Sequence, residues 1–159
     1  MQIRQDEQEI THIAYGIEPM RLIANSSPGA LIRDYSEQHI TVRQAGIETT
    51  ELTFEEALLL HTEGITRLGD LAPLALKVSH CEPLWQNKPE LVLLGHTEPG
   101  LWLSGPQKAL FLERGVGLEV MTLGAACRTY NLLAADGRKV AALLFPKPRA
   151  AALSDRTGL

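Results

Sequence analysis

The sequence predicts a single-domain α/β fold, with a β-rich N-terminal half and a β-α-β-α-β C-terminal half. Three observations carry this expectation. At 159 residues, 45% hydrophobic and 21% charged, the chain can bury one ordinary core without disulfides or metal. The first half holds short runs bounded by turn residues, one of them alternating polar and apolar. The second half holds continuous apolar runs separated by segments with helix-start signals, as expected of strands covered on both faces by helices. The domain is expected over residues 1–146, followed by a flexible, aperiodic tail at 147–159.

In chain order, His12–Ile17 and Met20–Ala24 read as short strands, bounded by the turn residues Asn25-Ser26-Ser27-Pro28-Gly29. His39–Arg43 alternates as a half-buried strand does. Gln44-Ala45-Gly46 reads as a hairpin turn and Ile47–Leu52 as the returning strand. A helix is expected from Thr53. Thr53 and Glu56 form a capping-box pattern, Leu52 and Ala57 occupy the staple positions, and Phe54, Ala57, Leu58 and His61 recur at helical spacing up to Gly64. Over Ile65–Pro89, Asp70 marks a possible short helix through Leu74 and Val78, and Cys81–Pro89, with its two prolines, reads as loop.

From Glu90 the pattern sharpens. Leu91–Leu94 is an apolar strand ending at Gly95, and His96–Leu103 is a loop. Ser104, Pro106 and Gln107 start a helix that runs to Arg114 and stops at Gly115, because proline needs no donor in the first turn and Gln107 completes a capping box. Val116–Met121 is the next strand. Thr122 caps a helix from Leu123 to Ala135, which Asp136-Gly137 ends. Val140–Phe145 is the last strand, closed by Pro146. Short connections between these elements favour parallel neighbours.

Composition narrows the function classes. A formal net charge of −4 argues against a nucleic-acid binder, whose affinity rests on many Lys and Arg contacts to phosphate. No apolar run approaches the roughly 20 residues that span a bilayer, so the chain is not read as an integral membrane protein. Met1–Glu9 is polar and acidic, unlike a signal or transit peptide. A cytoplasmic location is therefore expected, with Cys81 and Cys127 as free thiols.

In open α/β sheets, ligands bind beyond the carboxyl ends of the strands. Here that edge carries Gly95, His96 and Thr97 after one strand, and Thr122, Leu123 and Gly124 after the next, where the following helix directs its first N–H groups. The same residues also serve as ordinary turns and caps in folds of this kind. The loop from Gly95 to Gly100 has neither dinucleotide-loop nor P-loop spacing. The densest polar cluster is Cys127-Arg128-Thr129-Tyr130-Asn131. Helical spacing turns Tyr130 and Asn131 inward, and a buried Asn must find partners. Asn131 is expected to be mostly buried and to clamp the backbone of a neighbouring loop. Cys127 is either a nucleophile activated by Arg128 or a small buried apolar group. The second reading is preferred, because no His or acid is placed beside it by sequence. Cys81, on its loop, is then the more accessible thiol. His80-Cys81, His96 and Cys127 match no zinc spacing, and neither a Gly-x-Ser-x-Gly elbow nor a His-Glu-x-x-His helix occurs. No metal or cofactor is expected.

Val116–Thr122, Ala125–Leu133 and Asp136–Ala142 resemble a family of small proteins of unknown function. The family includes bacterial and archaeal members, the human adipogenesis-associated protein and a mitochondrial respiratory complex I assembly factor. The resemblance spans residues 90–146. It implies a three-layer β+β/α fold with a mixed central sheet. This chain departs from the family's usual Gly-Thr-Gly, carrying Gly95-His96-Thr97. No reaction comes with the family, and the assembly factor acts by binding protein partners of a membrane complex. The expected function is a non-enzymatic protein-interaction or assembly-factor-like module with an unidentified protein partner of a membrane-associated complex. The alternative is a small-molecule binder or enzyme at the strand ends, lined by Gly95, His96, Thr97, Thr122, Arg128, Tyr130 and Asn131.

Overall fold

A computed structural model describes residues 29–45, 48–61, 64–86 and 88–148. The strands expected at His12–Ile17 and Met20–Ala24, most of the turn after them, the hairpin residues Gly46 and Ile47, and the tail beyond residue 148 lie outside the described residues.

Eight strands and three α-helices are present among the described residues. Strands β1 (Ala30–Tyr35), β2 (Ile40–Gln44) and β3 (Thr50–Phe54) form an antiparallel three-stranded sheet in sequential order. Strands β4 (Ala57–His61), β5 (Gly64–Gly69), β6 (Leu91–His96), β7 (Gly117–Thr122) and β8 (Val140–Leu144) form a mixed sheet of order β5-β4-β8-β6-β7. β6 runs parallel to both β7 and β8, whereas β4 is antiparallel to β5 and β8. Helix α1 is Glu82–Gln86, α2 is Gly105–Leu112 and α3 is Leu123–Ala135.

The mixed sheet is the middle of three layers. Leu58, Leu60, Leu93, Ala142 and Leu144 meet Leu123, Ala126, Cys127 and Tyr130 of α3, together with Ile32, Ile40, Val42 and Phe54 of the small sheet. The alternate residues Leu59, Val92, Leu94, Ala141 and Leu143 meet Leu76, Cys81, Leu84, Leu103 and Phe111 on the opposite side. Both faces of β4, β6 and β8 therefore leave water, and their continuous apolar runs follow from that geometry. The mixed three-layer α/β architecture expected above is the one observed.

Two expectations are corrected. Thr53–His61 is not a helix but the end of β3 and the whole of β4. The Thr53 hydroxyl pairs across the sheet with that of Thr41 at 2.8 Å, and Glu56 meets Arg67 at 3.1 Å instead of closing a capping box. Leu58, Leu59 and Leu60 are all fully buried between β5 and β8, and a strand buried on both faces shows no alternation to separate it from a helix. The short helix expected from Asp70 is instead two 3₁₀ turns, Pro73–Ala75 and Val78–Cys81, and α1 lies within Cys81–Pro89, where a loop was expected. Ala30–Tyr35, for which no element was expected from the sequence, forms β1.

Candidate functional site

β6 and β7 end in step, with His96 opposite Thr122, and α3 starts at the next residue. Beyond these ends lies a cleft of about 420 Å³ with three walls: Tyr35, Ser36 and Glu37 from the turn after β1; His96 to Pro99 after β6; and Thr122 to Gly124 at the start of α3. His96 is half-buried, and its Nδ1 is screened from solvent without a hydrogen-bond partner among the described residues. Thr122 precedes α3 in the extended conformation of an N-cap, but its side chain makes no capping bond. Glu37 and Glu98 place two carboxylates among the lining groups.

Of the seven residues singled out by sequence, His96, Thr97 and Thr122 line this cleft. Gly95 lies beneath it as a packing residue. A Cβ there would come within 2.6 Å of the Ala126 Cβ, so the missing side chain is what lets α3 approach β6. The other three form a seam between α3 and β1. Arg128 Nη1 donates to the Tyr35 hydroxyl at 2.7 Å, and the Tyr130 hydroxyl donates to the Ala30 carbonyl at 3.1 Å. Asn131 accepts from the Ile32 N–H at 2.8 Å and donates to the Ile32 carbonyl at 2.7 Å. Asn131 is thus a backbone clamp, as expected. It is half-buried rather than mostly buried, and it holds a strand rather than a loop.

Both thiols are fully buried. Burial pushes Cys127 up to about 12, the Arg128 charge pulling the other way without prevailing. Burial likewise pushes Cys81 up to about 11. The expectation that Cys81 is the accessible thiol is therefore corrected, because the segment that carries it folds into a 3₁₀ turn against the core. Burial also raises the Tyr130 hydroxyl, which is spent on Ala30. Among the described residues no group of three His, Cys, Asp or Glu side chains is placed to hold a metal ion.

A second surface stands out on α2. Ser104 and Gln107 form the expected capping box, and the Gln107 side chain also donates to the Pro73 carbonyl at 3.0 Å. In the segment just before the helix, Trp102 is 78% exposed, and the Lys108 ammonium of α2 lies 4.0 Å from its ring centre. Leu112, one turn beyond Lys108, is 79% exposed.

Sequence reasoning missed Tyr35, Ser36 and Glu37 because β1 carried no recognisable pattern. The only available signal was the turn before the alternating His39–Arg43. Trp102 was passed over as a loop residue.

The model of a family described as proteins of unknown function (DUF498/DUF598) matches residues 32–145. No curated protein matches the chain. Among solved structures, a Bordetella parapertussis protein is similar at 28% identity and a TM-score of 0.63, covering 76% of this chain and 98% of that one. A protein described as an outer membrane protein from Bartonella henselae is similar at 25% identity and a TM-score of 0.61, covering 75% and 97%. A Bordetella pertussis protein described as a Mth938-like domain is similar at 23% identity and a TM-score of 0.63, covering 80% and 92%, a likeness that speaks to the fold alone. No helix among the described residues is long and apolar enough to cross a membrane.

Proposed function

We propose that this chain, which belongs to the DUF498/DUF598 family of proteins of unknown function, is a non-enzymatic protein-interaction module of the assembly-factor kind that docks through the outer face of α2. The observation that carries this reading is the exposure of Trp102, at 78%, in the segment before α2, where Lys108 of the helix lies against its ring. Single exposed apolar side chains are ordinary. A tryptophan held in place by a cation from the adjoining helix, which also exposes Leu112 one turn beyond that cation, is instead the composition of an interface anchor. The burial of both thiols supports the non-enzymatic part, since it removes the nucleophile that the polar helix offered. The resemblance to an assembly factor directs the search for a partner to membrane-associated complexes, met from the cytoplasmic side.

The second reading is favoured by the unpartnered, buried Nδ1 of His96. In it, the strand-end cleft takes a small polar ligand, with His96, Thr97 and Thr122 in contact and Arg128 holding the Tyr35 side of the wall.

The test is affinity capture with the tagged full chain from its native lysate, quantified by mass spectrometry, in wild-type, Trp102→Ala and His96→Ala forms of equal thermal stability. A partner retained by His96→Ala and depleted about tenfold or more by Trp102→Ala, a loss of about 1.4 kcal/mol, is expected. Equal capture by all three forms overturns the docking reading. Loss confined to His96→Ala moves the cleft into first place.

A further inference from the structure

We propose that β7 is an open docking edge, to which a partner protein adds an extended strand that carries Lys or Arg beside Glu119 and apolar side chains on the α2 side. The inference rests on the docking reading for the existence of a protein partner and adds the form in which that partner meets the chain.

β7 ends one side of the five-stranded sheet, with β6 as its single neighbour. The Gly117 N–H donates to the Glu90 carbonyl at 3.1 Å, with Gly117 in register with Leu91 of β6. Backbone groups alternate in direction along a strand. Gly117, Glu119 and Met121 therefore bond β6, whereas Leu118 and Val120 turn their N–H and C=O groups outward. Among the described residues nothing meets those outward groups. The other edges are treated differently. On β1, Asn131 bonds both backbone groups of Ile32. β3 carries Glu51, paired with Arg43, and β5 is half-buried, with Arg67 paired to Glu56. A bare row of donors and acceptors is a template for one more strand. A peptide that joins it gains affinity from main-chain hydrogen bonds and specificity from its alternate side chains.

The side chains of β7 decide which strand fits. Leu118 packs into the layer that holds Phe111 of α2, and Met121 into the layer that holds α3. By alternation Val120, 37% exposed, faces the α2 side and Glu119 the α3 side. Glu119 is exposed, has no ion-pair partner among the described residues and is the one charged residue of β7. A second copy of the chain does not supply the missing charge. Antiparallel pairing of β7 with itself, in a register that pairs both Leu118 and Val120, sets Glu119 opposite or diagonal to its own counterpart, with no cation on either strand to offset it. A foreign strand with Lys or Arg there neutralises Glu119, and its alternate apolar side chains extend the surface of Leu118 and Val120.

The test is amide hydrogen exchange of the full chain, read residue by residue by NMR, alone and with the end-capped peptides GSVTVKVTVSG and GSVTVEVTVSG. In the dilute chain alone, Leu118 and Val120 are expected to exchange about a hundredfold faster than Glu119 and Met121. The lysine peptide is expected to slow Leu118 and Val120 and to bind about fivefold tighter than the glutamate peptide, an order that Glu119→Lys reverses. Slow exchange of Leu118 and Val120 in the dilute chain overturns the proposal, because another part of the chain then holds the edge. Slowing that comes only with rising concentration of the chain overturns it in favour of a second copy. No slowing with either peptide overturns the docking edge, and equal binding of the two peptides overturns the part of Glu119. None of these outcomes depends on Trp102, whose part the capture comparison decides separately.

Discussion

Asn131 uses its side-chain amide on a single residue of a distant strand, and this bears directly on stability. β1 is an edge of the small sheet, so the N–H and C=O of Ile32 need partners from elsewhere. Asn131 supplies one acceptor and one donor, as a neighbouring strand would. Asn131→Ala leaves both groups unpaired in a part-buried place and is expected to cost about 1–3 kcal/mol in urea unfolding. A variant as stable as wild type would refute the clamp. The helix periodicity made the role of Asn131 legible, because an inward amide must bond something. Its partner was not legible, since Ile32 lies 99 positions away in a strand with no recognisable pattern. Gly95 illustrates the opposite limit. A glycine at a strand end fits a ligand loop and a close helix contact equally well in sequence, and only the approach of Ala126 decides between them.

At the scale of elements, the two strand-to-helix transitions start alike in sequence and differ in what holds them. Ser104 accepts from the Gln107 N–H at 3.3 Å, and its own N–H donates to Gln107 Oε1 at 3.1 Å. Ser104→Ala should therefore cost about 1 kcal/mol. Thr122 has the N-cap backbone but no capping bond from its side chain, so Thr122→Ala should stay within about 0.5 kcal/mol. Chemical denaturation of the two variants side by side checks the contrast, and equal losses would contradict it. The βαβαβ half was readable because Ser104 and Thr122, residues of N-cap type, precede its helices and its apolar runs are bounded by Gly95, Thr122 and Pro146. The Thr53–His61 segment was not, because Thr53 and Glu56 mimic a helix start while Leu58, Leu59 and Leu60 satisfy either period. What decides is the pairing of β4 with β5 and β8, a long-range fact that no local pattern states.

For the whole molecule, the buried hydroxyl and thiols set the behaviour in alkali. In the unfolded chain the thiols ionise near their ordinary 9.0, whereas the fold holds Cys81 to about 11 and Cys127 to about 12. Tyr130 is raised above its ordinary 10.0 by the same cause. Above about pH 9 the unfolded state thus binds fewer protons than the native one, and stability falls as pH rises. These three groups add no slope below that point. Urea unfolding at a series of pH values should show the decline beginning near about pH 9 and continuing to about pH 12, and a flat profile over that range would refute the burial of these groups. The cleft belongs to this scale as well. Its His96 and Thr122 walls follow from consecutive βα units that sequence reveals, but its Tyr35–Glu37 wall comes from a different sheet, so its outline could not be read from either half alone. The position of β8 has a consequence for the chain as it is synthesised. β8 is the last described strand along the chain, yet it occupies the middle of the five-stranded sheet, between β4 and β6, with all five of its residues buried. In a nascent chain that has passed only residue 122, β4 and β6 lack the one strand that pairs with both, so each is left with an unpaired apolar edge. Closure waits for Leu144 to emerge from the ribosome, and until then the molecule most needs a chaperone's protection.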